Sequence, residues 1–203
     1  MEPDVTAERP DSPFHTVGTD HITVIGSNVA DTIEYYRDLL GMSLVLRQPN
    51  LDQPEVTHLF FDTGDGRILT FFVTDDRPSN PNPQRTGLGQ VHHLAFTIEA
   101  ERLEEIKAAL NDAGYGYNEF DRGAFHSLYT RDHNGLTIEL AVDKYEIPGD
   151  RRGEVLARAQ QARVEAGAEY VDDEHMEEAI EALGMEVVRN ETPDADSGVG
   201  GVE

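Results

Sequence analysis

Hydrophobic and polar residues follow the same order twice in this chain of 203 residues. The stretches HITVI from His21 and HLAFT from His93 alternate apolar and polar residues, which is typical of a half-buried strand. A segment with apolar residues three or four positions apart follows each stretch and ends at Gly41 or Gly114, which predicts a helix. The histidines are 72 residues apart and the glycines 73, so the chain contains an internal repeat.

Three more strands are predicted after each helix, so each copy of the repeat has the order βαβββ. Glycine-containing turns separate the last two strands of each copy, at 63–66 in the first and 132–135 in the second. The predicted fold class is therefore α+β, built from two paired βαβββ modules. The strands are expected near 43–48, 56–62 and 67–74 in the first copy and near 115–119, 124–131 and 135–142 in the second.

The composition changes along the chain and predicts six segments. The two modules are joined by a linker rich in Pro, Asn and Gly, and an Ala/Glu/Arg-rich extension with helices near 150–166 and 173–183 follows them. Both ends of the chain are acidic, without periodicity, and are predicted to be disordered. The segments are a leader at 1–17, the first module at 18–75, the linker at 76–89, the second module at 90–143, the extension at 144–189 and a tail at 190–203.

Charge and composition exclude several classes of protein. The chain has 40 acidic and 16 basic residues, a net charge of −24, which opposes binding to nucleic acid or anionic lipid. It has no cysteine, so disulfides, thiolate zinc sites and thiol nucleophiles are excluded, and any metal must be held by His and carboxylates. The acidic start does not resemble a secretory signal, and no apolar run is long enough to span a membrane. We expect a soluble, cytoplasmic protein.

Three residues predict a metal site. His21 and His93 occupy the same position of the repeat, so pairing of the modules is expected to bring both into one concave site. Glu139 lies in the apolar strand LTIELAV, where a carboxylate is costly to bury unless it binds a cation or makes strong hydrogen bonds. The same position in the first copy is Thr70, so we expect one metal per chain. Two His and one carboxylate suit Fe(II), with Mn(II) as an alternative.

The sequence also resembles the vicinal oxygen chelate superfamily, which contains glyoxalases, bleomycin-resistance proteins and extradiol dioxygenases. The resemblance covers roughly residues 18–143 and is strongest to ring-cleaving dioxygenases, and the segments that begin at His21, Pro49, Thr57, Ile68 and Val91 are most similar to their hydroquinone-cleaving branch. It implies a curved eight-stranded sheet around a metal, here followed by a C-terminal helical extension. It also implies the same ligands, His21, His93 and Glu139.

The resemblance implies further site residues. A tyrosine lies ten residues before the carboxylate, which is Tyr129, and the hydroquinone-cleaving branch has an arginine seventeen before it, which is Arg122. Thr23, two residues after the first ligand, and His92, directly before the second, match that branch as well. Where the branch often has a His before the first ligand, this chain has Asp20.

Strand alternation sorts these residues, because residues two apart share a face of a strand. Thr23 shares the face of His21, whereas His92 is expected opposite His93 unless a bulge intervenes. Tyr129 and His126 are expected on opposite faces of one strand, and we favour Tyr129 for the site, with His126 as a further acid/base candidate.

The remaining histidines are assigned from their positions in the predicted elements. His58 is expected in the wall of the substrate pocket. The other three, in leader, turn and extension, are expected at the surface: His15, His133 and His175.

The predicted function is a non-haem Fe(II) ring-cleaving dioxygenase that acts with O₂ on a small dihydroxylated aromatic such as hydroquinone or catechol, as a homo-oligomer. One alternative is a metal-dependent lyase or isomerase of the glyoxalase type. Such sites usually carry a second carboxylate in the first module, where this chain has Thr70. A non-catalytic resistance-type binding protein is the other alternative, and it does not require the three ligands.

The charge pattern predicts adaptation to high salt. Only Lys107 and Lys144 are lysines, and acidic residues are in large excess, so the negative charges of the folded chain repel one another. At 1 M salt the Debye length is about 3 Å, which screens this repulsion. We expect the midpoint of thermal unfolding to rise as KCl is added up to molar concentration. Calorimetry at a series of KCl concentrations measures this, and a protein that is most stable at low salt would contradict the halophilic hypothesis and favour the alternative, an acidic mesophilic protein with a charged tail.

Overall fold

The computed structural model describes residues 5–85 and 87–193, which form eight strands and four α-helices. The strands are β1 His21–Ile25, β2 Ser43–Pro49, β3 Thr57–Asp62, β4 Ile68–Val73, β5 His93–Thr97, β6 Asn118–Asp121, β7 Phe125–Arg131 and β8 Thr137–Asp143. The helices are α1 Val29–Ile33, α2 Leu103–Asp112, α3 Arg152–Ala166 and α4 Asp173–Ala182. A π-helix at Glu34–Leu39 continues α1, and a short 3₁₀ turn at Ala100–Arg102 precedes α2.

The strands form two four-stranded sheets of identical topology, in the orders β1-β4-β3-β2 and β5-β8-β7-β6. β1 runs parallel to β4, and β5 runs parallel to β8. The other neighbouring strands are antiparallel. The predicted α+β class and the two βαβββ modules are confirmed. Over the described residues the ladders hold the eight strands as two sheets of four, where the resemblance implied one curved sheet of eight.

The repeat is visible in the hydrogen bonds of the two β-turns. Thr63 N donates to Arg67 O at 3.0 Å, and Asp132 N donates to Leu136 O at 3.0 Å. These bonds align the two turns residue by residue, and with them β4 and β8. The alignment places Thr70 at the position of Glu139, as the sequence predicted.

One hydrophobic core joins the two modules. One face of each sheet and the helices of both modules contribute to it, because the alternating apolar residues of most strands point to the helix side. Fully buried members come from both sheets and from the π-helix that continues α1: Leu59, Phe61, Phe71 and Val73 in the first sheet, Leu128, Ile138 and Val142 in the second, and Tyr35 and Tyr36 in the π-helix. The opposite faces of both sheets therefore point outward from this core.

Polar contacts also join α1 to the β7–β8 turn across the module boundary. The Tyr36 hydroxyl donates to Asp132 Oδ2 at 2.8 Å, and Thr32 Oγ1 lies 3.1 Å from His133 Nε2. His133 is only 6% exposed, and its burial lowers its pKa. The expectation of a surface His133 was wrong, because the turn that carries it is covered by the helix of the other module.

The C-terminal extension has a small core of its own, formed by α3, α4 and Tyr145. It is fastened to the second module by Lys144, whose ammonium lies 2.9 Å from Asp121 Oδ2 and 2.7 Å from Asp173 Oδ1. His175 is 7% exposed in the first turn of α4, so the expectation of a surface position was wrong here as well. Nowhere in 5–85 or 87–193 does a helix have the length and apolar character needed to cross a bilayer.

The bond between Tyr36 and Asp132 can be tested by unfolding. Tyr36→Phe leaves Asp132 Oδ2 buried without its donor, so we expect a loss of about 1–3 kcal/mol in the free energy of unfolding, measured by urea denaturation. Tyr170→Phe is the matched control, because Tyr170 is exposed and its hydroxyl donates to the Glu169 carboxylate at 3.0 Å in solvent. The control should change stability by less than about 0.5 kcal/mol. Equal losses in the two variants would show that the buried bond between the modules contributes no more to the free energy of unfolding than the exposed one.

Candidate metal centre

A histidine and a carboxylate face each other on the outward side of the second sheet. His93 begins β5, and Glu139 lies on the neighbouring β8. His93 Nε2 is 3.0 Å from Glu139 Oε2, while Ser127 Oγ donates to Glu139 Oε1 at 2.7 Å. Glu139 is only 8% exposed, and within the described part of the chain it has no Lys or Arg partner. The carboxylate is therefore buried without a permanent positive charge beside it.

His92 holds the other side of the His93 ring. The two Nδ1 atoms are 2.8 Å apart, and the rings meet edge to face with centroids 5.1 Å apart. His92 precedes the first residue of β5, so strand alternation does not turn it away from His93 as expected. The contact directs Nε2 of His93 toward Glu139.

Tyr129 lies directly across the β7–β8 ladder from Glu139, and its ring centroid is 5.9 Å from that of His93. Burial raises the pKa of Tyr129, and the adjacent Glu139 carboxylate raises it further. The phenol, protonated at neutral pH even at its ordinary pKa, therefore keeps its proton and can donate a hydrogen bond. The exposed guanidinium of Arg122 lies 5.4 Å from the centroid of this ring and 4.5 Å from that of Phe120.

The hairpin that carries Arg122 is shaped by the C-terminal extension. Gly123, which follows it, has φ +79°, and a Cβ at this position would lie 2.8 Å from the Val171 carbonyl oxygen. Only glycine allows both this conformation and this close approach of the extension. Asp121, before Arg122, accepts the Gly123 N–H and binds Lys144. The extension thus supports the edge of the site.

The structure does not bring His126 to this group. It lies on the helix side of β7, where its Nε2 is 2.6 Å from Glu119 Oε1 and Lys107 binds the same oxygen at 2.7 Å. Adjacent residues of a strand point to opposite faces, so Tyr129 and His126 are separated as the alternation predicted.

The residues predicted from the first module lie together on the outward face of the other sheet. His21 Nδ1 is 2.5 Å from Asp20 Oδ1, and Thr70 Oγ1 donates to Thr23 Oγ1 at 2.8 Å. Asp20, where the sequence departs from the hydroquinone-cleaving branch, therefore contacts the same ring nitrogen of His21 that His92 contacts on His93. The contact leaves Nε2 of His21 to face outward.

His58 is also on this outward face, between the rings of Phe60 and Phe72 at centroid distances of 4.0 and 4.5 Å. Its Nε2 is buried and has no hydrogen-bond partner in the described residues. Burial is the main cause of the lowered pKa of His58, and the neighbouring His21 contributes as well. A neutral imidazole with an available nitrogen fits the predicted place in a pocket wall.

Within one chain the two halves of the predicted ligand set are on different sheets. The described residues contain no group of three His, Asp or Glu side chains close enough to hold one metal ion. The reason is the shared core: the modules pack through their helix sides, which turns His21 away from His93 and Glu139. The expectation that pairing within the chain brings both histidines into one concave site is corrected by this arrangement.

The His93–Glu139 pair fits a divalent ion. Nitrogen and oxygen atoms that bind one small ion at neighbouring positions lie about 3 Å apart, as Nε2 and Oε2 do here. A buried carboxylate without a fixed cation gains from binding one. Ser127, which orients the carboxylate, was not predicted as a site residue, although alternation placed it on the face of Tyr129.

Comparison with known proteins agrees with this architecture. The family model described as Glyoxalase/Bleomycin resistance protein/Dioxygenase superfamily matches residues 18–140. A Bacillus subtilis protein named "Putative ring-cleaving dioxygenase MhqE" is 31% identical over 132 residues, which are 63% of this chain and 42% of the relative. The chlorohydroquinone/hydroquinone 1,2-dioxygenase of Sphingobium indicum is 32% identical over 91 residues, 42% of this chain and 27% of the relative.

A crystal structure of a candidate dioxygenase from Bacillus subtilis superposes with a TM-score of 0.54 at 24% identity, over 64% of this chain and 42% of that one. This similarity shows the fold. The chain spans less than half the length of the curated relatives described above. The match to the family model covers both βαβββ modules, and the chain belongs to the glyoxalase/bleomycin resistance/dioxygenase superfamily.

Proposed function

We propose that this protein is a cytoplasmic, Fe(II)-dependent dioxygenase that cleaves the ring of a small dihydroxylated aromatic, such as hydroquinone or catechol. The observation that carries the proposal is the buried Glu139 carboxylate, 3.0 Å from His93 Nε2 and directly opposite Tyr129 in the ladder. The names of the Bacillus subtilis and Sphingobium relatives support a ring-cleaving reaction. Mn(II) is the alternative ion for the same ligands.

Iron bound at His93, Glu139 and a further His would hold an aromatic hydroxylate and O₂ next to each other and let electron density pass between them. The chain's own residues orient the metal ligands and supply a proton to the substrate. His92 fixes the ring of His93, and Ser127 fixes the carboxylate of Glu139. Tyr129, a protonated phenol, donates a hydrogen bond to an oxygen of the substrate and can pass its proton to that oxygen, after which the phenolate is reprotonated from solvent.

Arg122 defines the outer edge of the substrate site. Its guanidinium lies over the rings of Phe120 and Tyr129, so its charge is available to an anionic oxygen or substituent on the ring. Phe120 is 43% exposed beside it and offers an apolar surface to an aromatic substrate. His58 and Thr23 are the proposed contacts from the first module.

The third ligand is proposed to come from a second copy of the chain. His21 lies on the outward face of the first sheet, with Nε2 directed away from Asp20. A two-fold dimer that places this face on the outward face of the second sheet would bring each His21 to the His93–Glu139 pair of its partner. The first face also carries apolar side chains that solvent does not favour, among them Ile25 at 65% and Leu46 at 43% exposure.

The proposed ligand role of Glu139 is tested by Glu139→Gln, which removes the charge and keeps the size. We expect anaerobic reconstitution to give one Fe(II) per wild-type chain. The iron affinity of the variant should fall by more than the loss of about 10–100-fold that is typical when a residue hydrogen-bonded to a metal ligand is removed. Oxygen uptake with hydroquinone or catechol should be lost with it. Glu104→Gln is the control, because Glu104 is an exposed partner of Lys107.

Two results would contradict the proposal in different ways. Unchanged iron binding in Glu139→Gln would reject the ligand set. Stoichiometric iron binding by the wild type without oxygen uptake on either substrate would reject the dioxygenase and favour a lyase, an isomerase or a binding protein of the same superfamily.

The shared site is tested by mixing two inactive variants, His21→Ala and Glu139→Ala, after unfolding and refolding them together. If each site takes His21 from one chain and Glu139 from the other, a mixed dimer has one intact site and one site without either residue. Random association then restores about a quarter of the wild-type oxygen uptake. Sites formed within one chain would give no recovery, because every chain in the mixture lacks one ligand.

A further inference from the structure

The helical segment of the first copy is one residue longer than that of the second, and the hydrogen bonds at the ends of the two segments show where the extra residue lies. Met42 N donates to Tyr36 O at 3.0 Å, and Tyr115 N donates to Leu110 O at 2.8 Å, so Tyr36 corresponds to Leu110 and Met42 to Tyr115. The π-helix at Glu34–Leu39 accommodates the extra residue of the first copy. Counting back one position, Tyr35 corresponds to Ala109.

Tyr35 fills the space between α1 and the second module. Its ring is edge-on to Tyr115, with centroids 4.9 Å apart, and its centroid is 5.9 Å from that of His133. Tyr35 is 1% exposed and His133 6%. These three rings thus fill the half of the boundary between the modules that lies beside α1 and the β7–β8 turn.

The other half of the boundary has smaller side chains at the same positions. Ala109 replaces Tyr35 and Met42 replaces Tyr115. Gly64 replaces His133, as the aligned β-turns show. These three residues line a cleft of about 510 Å³ between α2 and the β3–β4 turn. The volume is in the range of small-molecule sites, which run from about 300 to 1,000 Å³.

The cleft is lined by both apolar and polar residues. Its walls include Leu39, Phe96 and Ile106, which are only partly buried and pack against the core. Thr63 at the rim corresponds to Asp132, which accepts the hydroxyl of Tyr36 in the other half. Thr63 Oγ1 donates to Asp65 Oδ1 at 2.7 Å, so the lone pairs of this oxygen can accept a hydrogen bond from a hydroxyl group on a bound ring.

The charge at the edge opposes anions. Asp62 and Glu99 are both at the rim. Arg102, the cation beside them, is held in two hydrogen bonds by Glu105, at 3.1 and 2.9 Å. The chain as a whole carries a net charge of −24. A neutral ligand is favoured over a carboxylate of similar size.

We infer that this cleft binds a small, uncharged phenol at the position where the other half of the molecule inserts the ring of its own Tyr35. The site lies on the helix side of both sheets, whereas His93, Glu139 and Tyr129 are on the outward face. The inference is independent of the proposed dioxygenase activity, because phenol has a single hydroxyl and its binding here uses no metal ligand.

Titration of the full-length protein with phenol, followed by amide chemical shifts, tests the inference. We expect saturable shifts at Met42, Gly64 and Ala109. Ala109→Leu fills the cleft and should weaken binding at least about tenfold, whereas Ala108→Leu, on the neighbouring exposed position outside the cleft, should change it less than about twofold. Leucine is a good helix former at both positions, so neither change is expected to disturb α2.

Benzoate serves as the charged probe and should bind at least about tenfold more weakly than phenol. Equal affinities for phenol and benzoate would overturn the inference, as would saturable shifts in the wild type that leave the cleft amides unmoved. Equal weakening by Ala108→Leu and Ala109→Leu would overturn it too. In Glu139→Gln, phenol binding at the cleft should be unchanged, so loss of iron binding and loss of the cleft are separate outcomes.

Discussion

The packing of both modules against one another through their helix sides is the constraint on which the rest of this molecule depends. Each sheet has one apolar face, and a single module is too small to bury that face with its own helix alone. Joining the two apolar faces with α1 and α2 between them produces one continuous core. Both remaining faces then look outward, and the proposed metal ligands, His21, His93 and Glu139, lie on them.

This arrangement separates chemistry from stability. The buried bond of Tyr36 with Asp132 and the contact of Thr32 with His133 belong to the boundary between the modules, on the helix side of the sheets and not on their outward faces. The outward faces are less protected: the side chain of His21 is 51% exposed and that of His93 34%. The outward face of the second sheet carries a buried carboxylate and a partly exposed imidazole, and that of the first carries an exposed imidazole and exposed apolar residues; the proposed dimer would cover both faces.

The repeat is symmetric where the fold needs it and asymmetric where function is proposed. The turns, the ladders and the residues before each leading histidine correspond closely, and Asp20 and His92 both contact Nδ1 of the histidine that follows them. The differences are local substitutions. Glu139 stands where the first module has Thr70, and Ala109 stands where the first module has Tyr35. One difference adds a ligand to an outward face, and the other opens a cleft in the boundary.

The sequence by itself determined the local order of the fold. Alternation and helical spacing predicted seven of the eight strands to within about two residues and also the helices, because these patterns record which side chains each element buries. They also identified Thr70 as the equivalent of Glu139 in the first module and placed Tyr129 on the face away from His126. Only β6 was displaced, to Asn118–Asp121, since its polar sequence has no clear period.

Only the tertiary structure decided how the modules meet. The period of each apolar face does not show how the two faces pack together. The sequence therefore predicted that His21 and His93 occupy equivalent strand positions, but it could not show that they lie on different sides of the molecule. For the same reason His133, in a polar turn, was expected in solvent and is buried under α1. Spacing along the chain reports local geometry, whereas contact between modules depends on shapes assembled from many distant residues.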